Sequence, residues 1–170
     1  MFVDIIPFLQ DKKIFKQLTD ELGKVVTAPN IAAPEARGFL FTAPLLISKP
    51  EVENIIPIRK SGKLPFAEGD LQEISIMKEY GADHLYYRLS DIAAGKVENG
   101  KIHISIIDDV LATGGTAESL ATALNALRIT KDGKEYGVKV KEFVFIVEIA
   151  DLHGRERLEK IAPVKSIAII

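Results

Sequence analysis

The chain has 170 residues, enough for one domain burying about 70% of the surface its unfolded form exposes, and 47% hydrophobic with 27% charged residues excludes a disordered chain. Its 22 Lys and Arg against 24 Asp and Glu leave a formal charge of -2, which offers no global field to nucleic acid or an anionic membrane, so an anion needs a local site. The absence of cysteine excludes disulfides and thiolate chemistry, and no stretch has the length of a membrane span, so the expectation is a soluble cytoplasmic protein with residues 1–170 in a single domain.

From Asp11 to Gly23, Ile14, Phe15, Leu18 and Leu22 recur at helical spacing, which predicts an amphipathic helix. A short strand is expected at Asn30–Ala33, followed by a loop with Pro34 and a buried helix over Gly38–Ile47. Asn54–Arg59 reads as another strand. Lys60–Lys78 is rich in Gly, Pro and charge without clean periodicity and is read as a long lid loop. Leu85–Leu89 can form a strand. Ile102–Ile107 is an Ile-rich run suited to a strand buried on both faces of a parallel sheet. Ala117, Leu120, Ala121, Leu124 and Leu127 then mark a helix reaching about Arg128. Lys131–Gly137 reads as a polar turn and Val138–Ile149 as a further buried strand. The alternation predicts an α/β fold, a mainly parallel central sheet flanked by helices.

The chemistry concentrates in Ile104 to Thr116, where a buried strand delivers Asp108 and Asp109, and Val110-Leu111-Ala112 leads into a Thr113-Gly114-Gly115-Thr116 turn that opens a helix. Unpaired N–H groups at a helix start, aided by the helix dipole, favour a phosphate at the carboxyl end of a parallel strand. Gly114 and Gly115 have no side chain to block it, and Thr113 and Thr116 add hydroxyl donors. Two acceptor-only carboxylates just upstream can take hydrogen bonds from adjacent sugar hydroxyls, so the combination reads as a ribose 5-phosphate site. An acid pair capping a helix beside an ordinary glycine turn is the plainer reading, and the ordered combination tells against it. A Walker loop fails because its Gly-Lys-Ser/Thr ending is absent, and the dinucleotide fingerprint because it needs Gly-x-Gly-x-x-Gly.

These thirteen residues resemble the phosphoribosyl pyrophosphate signature of the type I phosphoribosyltransferases, in a version similar to that of the adenine-specific branch. Glu35 to Phe41, Arg59 to Pro65, Glu79-Tyr80-Gly81 and Glu148 to Leu158 resemble further blocks of that family, in the same order. The resemblance implies the type I fold with a flexible lid, and transfer of the phosphoribosyl group to a purine, namely adenine. It implies that Ala112 and the Thr113–Thr116 turn hold the 5′-phosphate, that Arg37, in a loop after the first strand, and Arg59, Lys60 and Lys63 meet pyrophosphate, and that Glu79 is the general acid/base. Main-chain groups at Met1 and Val3 would read the base, with Val110 packed under the ring. Magnesium would be held by substrate and water rather than by a protein cage, and the scattered His84, His103 and His153 suggest no ligand cluster. A homodimer is implied, in which some basic groups serve the neighbouring subunit. Asp151 and Gly154-Arg155-Glu156 are expected to cap the helix that follows. The competing readings are a 6-oxopurine enzyme with the same mechanism and a non-catalytic regulator that binds the sugar phosphate.

Overall fold

The computed structural model describes residues 3–78 and 81–170. An eight-stranded mixed sheet runs in the order β3-β4-β2-β1-β5-β7-β6, with β8 on the outer edge of β7 beyond β6. Its middle is parallel: β1 (Asn30–Pro34) lies between β2 (Asn54–Lys60) and β5 (Lys101–Leu111), and β7 (Lys134–Glu148) joins β5 to β8 (Val164–Ile169). Antiparallel strands close both edges, β3 (Leu71–Lys78) with β4 (Gly81–Arg88) on one side and β6 (Arg128–Lys131) on the other.

Period-2 alternation sends successive side chains to opposite faces and so divides the core. Ile102, Ile104, Ile106, Phe143 and Phe145 point to the face covered by α6 (Gly115–Asn125). Ile31, Ala33, Ile107, Val144 and Ile146 point to the other, covered by α2 (Lys12–Val25), α3 (Arg37–Thr42) and α4 (Leu45–Ser48). α2 begins where Asp11 accepts from the amides of Lys13 and Ile14, as its cap position requires.

Several expected elements differ in extent. The expected helix over Gly38–Ile47 is two short helices, because Pro44 lacks an N–H and restarts the chain at α4. The expected 60–78 loop holds only 61–70 as connection; the rest is β3, whose Ile74 and Ile76 pack on α6 with Leu85 of β4. Lys131–Gly137 is no extended turn: Asp132 and Gly133 take positive φ of 52° and 72°, the two-residue hairpin turn an Asp-Gly pair favours, and strand continues on both sides. α6 therefore ends at Asn125, three residues short of the expected Arg128. The four-residue α1 (Pro7–Gln10), α5 (Leu89–Ala93), β6 and β8 have no counterpart in the sequence reading.

The C-terminal block also departs from expectation. α7 (Gly154–Leu158) starts after His153, with no side-chain cap, so Asp151 and its neighbours are not capping residues. Arg155 instead reaches back to Glu148, at 2.9 Å and 2.5 Å, and donates to the Val164 carbonyl at 2.8 Å. That fork ties β7, α7 and β8 together.

Candidate active site

Three parallel strands end at one place. β1 delivers Glu35, β2 delivers Lys60 and Ser61, and β5 delivers Asp108 to Leu111, so the sheet collects these groups at the carboxyl ends of adjacent strands, where open α/β sheets bind ligands. A cavity of about 460 Å³ opens there, lined by Glu35, Lys60, Ser61, His84, Asp108 and Thr116 among others. A smaller cavity of about 120 Å³ adjoins it, formed by Val110 to Ala117 with Asp108 and Phe145. The two share Asp108 and Thr116, so a ligand can run from one into the other.

The small cavity is a backbone cradle. Gly114 sits at the helix cap with φ of 78°, a conformation that costs a side chain dearly, and α6 starts at Gly115 with its first amides turned to the cavity end of the helix. The cradle is braced from behind. A Cβ on Gly154 would stand 2.2 Å from the Ala112 carbonyl, and one on Gly114 would stand 3.1 Å from the Gly154 carbonyl. Backbone therefore packs on backbone, which fixes the turn without using its polar groups.

Asp108 and Asp109 do different things. The Asp109 carboxyl is buried, and Arg37, the first residue of α3 rather than a loop residue, brings Nε to 2.8 Å from Oδ2 as a charge pair without hydrogen-bond alignment. Asp108 lines both cavities and accepts from the Asp109 amide at 2.9 Å. Burial, then the neighbouring Asp109 charge, push the Asp108 carboxyl up to about 8, against a weaker pull from Arg37. One carboxyl of the adjacent pair thus holds its proton near neutral pH until a ligand changes the field.

The remaining cations divide. Lys60 lines the large cavity. Arg59 and Lys63 converge on Glu35, with Nε to Oε2 at 2.6 Å and Nζ to Oε1 at 3.4 Å, and Arg59 stacks over the Phe39 ring at 5.6 Å. Burial acts to raise Glu35, but Arg59, the Lys60 amide and Lys63 together hold it below the usual carboxylate range. Sequence reasoning assigned these cations and missed the acid that organises them, although Glu35 stands in the same block as Arg37.

Val3 and Val110, the expected base contacts, both pack against the core on the α2 side of the sheet. Met1 and Glu79, expected to read the base and to act as acid/base, lie outside the described residues. The β3–β4 hairpin supplies groups that the sequence reading did not pick: Asp83 and His84 line the cavity, and Glu73 accepts from His84 at 2.6 Å and Tyr86 at 2.7 Å. Glu73, Ser75, His84 and Tyr86 alternate along two strands, a signal visible only once the hairpin register is known. Among the described residues no three His, Asp or Glu side chains converge as a metal site.

No family model matches the chain. The adenine phosphoribosyltransferase of Clostridium acetobutylicum is 37% identical over 160 residues, covering 92% of this chain and 81% of that protein. That of Methanococcus vannielii is 35% identical over 161 residues, covering 93% and 82%. The crystal structure of adenine phosphoribosyltransferase from Thermoanaerobacter pseudethanolicus superposes with a TM-score of 0.79 at 32% identity, over 99% of this chain and 88% of that one. The Saccharomyces cerevisiae enzyme, crystallised with adenine and an imino-altritol bisphosphate, gives 0.71 at 28% identity over 96% and 84%. With about a third of its residues shared along nearly its whole length, and the same fold beneath them, this chain belongs to the adenine phosphoribosyltransferase family.

Proposed function

We propose that this protein transfers the 5-phosphoribosyl group from phosphoribosyl pyrophosphate to adenine, giving AMP and pyrophosphate. The observation that carries the reading is the continuity of the Asp108–Asp109 pair with the Ala112–Thr116 cradle at the end of the central strand. The 5′-phosphate occupies the cradle, accepting from the amides around Gly114 and Gly115 and the hydroxyls of Thr113 and Thr116. The ribose diol donates to Asp108 and Asp109. When it does, it takes the place of Arg37 on Asp109, and the guanidinium turns to the pyrophosphate, which Lys60 meets from β2. Arg59 and Lys63 hold Glu35 at the rim of the pyrophosphate side, in reach of a neighbouring subunit.

As the C1–pyrophosphate bond breaks, positive charge develops at C1 and negative charge on the leaving oxygens, which Arg37 and Lys60 stabilise. Adenine enters over Val110, read by main-chain groups at Met1 and Val3, and its N9 bonds to C1 while Glu79 takes the N9 proton. A main-chain carbonyl accepts from an amino group and not from a 6-oxo oxygen, which favours adenine over 6-oxopurines. The donor set suits magnesium bound chiefly by substrate and water: Asp108 and Asp109 are two carboxylates at the diol, short of a cage, and would reach the ion through water. Bound there, the ion would supply neutralisation of leaving-group charge.

Pairing into a homodimer is supported by Leu40, Leu46 and Ile47, apolar side chains on α3 and α4 of which Ile47 is 91% exposed. A cytoplasmic location is supported by the lack of cysteine; no helix among the described residues is long and apolar enough to cross a membrane. The test is nucleotide formation from phosphoribosyl pyrophosphate, magnesium and each purine in turn. Turnover with adenine is the expected result, and turnover with hypoxanthine or guanine alone would overturn the choice of base.

A further inference from the structure

Far from this site, at the starts of β5 and β7, the sheet face that α2 covers higher up carries a group of cations. Lys101 pairs in register with Gly137 and His103 with Lys139, Arg128 pairs with Gly137 from β6, and Lys141 stands at the bulge between Ile104 and Ser105. Alternation puts Lys101, His103, Arg128 and Lys139 on one face, opposite to Ile102, Val138 and Val140 of the core. Gly137 makes room for this: the Arg128 guanidinium lies 3.4 Å from where a Cβ would stand. A depression of about 370 Å³ opens at the start of these strands, where Lys101, Arg128 and Lys139 meet Gly137, Val138 and, from α6, Asn125.

Several cations elsewhere are matched with carboxylates, as in Lys96–Glu53, Arg155–Glu148 and Lys165–Glu142. Here the lysines and the arginine are exposed, and among the described residues none of the four has an ion-pair partner. His103 sits among them with its Nδ1 buried and unpartnered. Burial and then Lys141 hold it on the neutral side; Lys101 and Lys139 add to this, and Glu98, itself paired to Lys96, opposes it. Like charges gathered without ion-pair partners repel one another, and an anion relieves that cost.

We propose that this face is a second anion site, remote from the reaction, that takes a compact chain of phosphates carried by a nucleoside triphosphate or by inorganic polyphosphate. Strands about 4.8 Å apart and same-face residues about 6.8 Å apart let several cationic heads meet one linear polyanion, which a single phosphate would satisfy poorly. A nucleic acid fits less well, since the face offers no aromatic side chain for stacking and Glu98 and Glu135 flank it.

Tripolyphosphate titrated into the nitrogen-15-labelled protein tests this, because amide shifts separate this face from the Thr113–Thr116 turn. The expected result is saturable shifts at Lys101–His103, Arg128 and Gly137–Lys141, weakened at least tenfold in a Lys101→Ala, Arg128→Ala, Lys139→Ala variant that melts as the parent does and keeps the shifts at the turn. Equal affinity for ATP and tripolyphosphate supports recognition of the phosphate chain by itself, and preference for tripolyphosphate assigns the inorganic source. Shifts confined to the turn, undiminished affinity in the variant, binding of ATP without tripolyphosphate, or preference for a single-stranded oligonucleotide would each overturn the proposal.

Discussion

Asp108 and Asp109 stand side by side at the end of a buried strand, and two adjacent carboxylates ionise together only at a cost. The Asp108 proton held up to about 8 has a consequence for stability. The folded value lies above the ordinary 3.8, so the folded chain binds more protons than the unfolded one between them; the stabilisation is full below pH 3.8 and lost as pH rises through about 8. Asp108→Asn removes this dependence. Denaturant unfolding of the unliganded protein should show the variant gaining on the parent as pH rises from 5 to 8, at up to about 1.4 kcal/mol per pH unit. A difference that stays flat would mean Asp108 is already ionised. The same proton opposes an acceptor role toward the ribose diol, so phosphoribosyl pyrophosphate should bind more tightly with rising pH over that range. Asp108→Asn with Asp109→Asn should lower affinity at least tenfold in direct titration, with little change in far-ultraviolet circular dichroism.

At the scale of elements, the cradle depends on what lies behind it. Gly154→Ala would drive a methyl to 2.2 Å from the Ala112 carbonyl; the methyl is fixed by its own backbone and the carbonyl is backbone, so neither can rotate away. Overpacking of this kind costs about 1–3 kcal/mol, and the displaced loop should raise KM for phosphoribosyl pyrophosphate several-fold more than KM for the base. β8 depends on a different contact. Glu142, 2% exposed, accepts from Lys165 at 2.5 Å, Ser105 at 2.6 Å and the Thr27 amide at 2.5 Å, joining β8 and β5 to the segment after α2. Removing one partner of a buried pair leaves an uncompensated charge, so Lys165→Met should destabilise by about 3 kcal/mol in thermal or urea unfolding without altering KM. The sequence made the strand from Ile102 and the following turn legible because buried parallel strands and glycine-threonine turns leave local signatures. β3 was not legible: among its described side chains Ile74 and Ile76 carry the buried face, and its pairing with β4 supplies the rest. β6 and β8 exist because β7 offers an edge to each, which no local pattern announces.

At the scale of the molecule, sequence order located the site and tertiary pairing furnished it. Glu35, Lys60, His84 and Asp108 are scattered along the chain and meet because β1, β2 and β5 are neighbours and the β3–β4 hairpin folds over α6. The cations of the second face, from Lys101 to Lys141, stay invisible in the sequence for the same reason, since strand register alone brings them together. The outer side of α3 and α4 points beyond the single chain. Leu40 on α3 and Leu46 on α4 are 45% exposed and Ile47 on α4 91%; α3 begins at Arg37, and the two helices pack on the core through Phe41 and Leu45. A dimer through that side would cover these residues and steady Arg37. In the proposed homodimer, Leu46→Glu with Ile47→Glu should therefore shift sedimentation from dimer to monomer, without loss of the folded core, and lower kcat/KM for phosphoribosyl pyrophosphate by roughly tenfold, about 1.4 kcal/mol. A variant that stays dimeric would move the interface elsewhere, and a fully active monomer would detach pairing from catalysis.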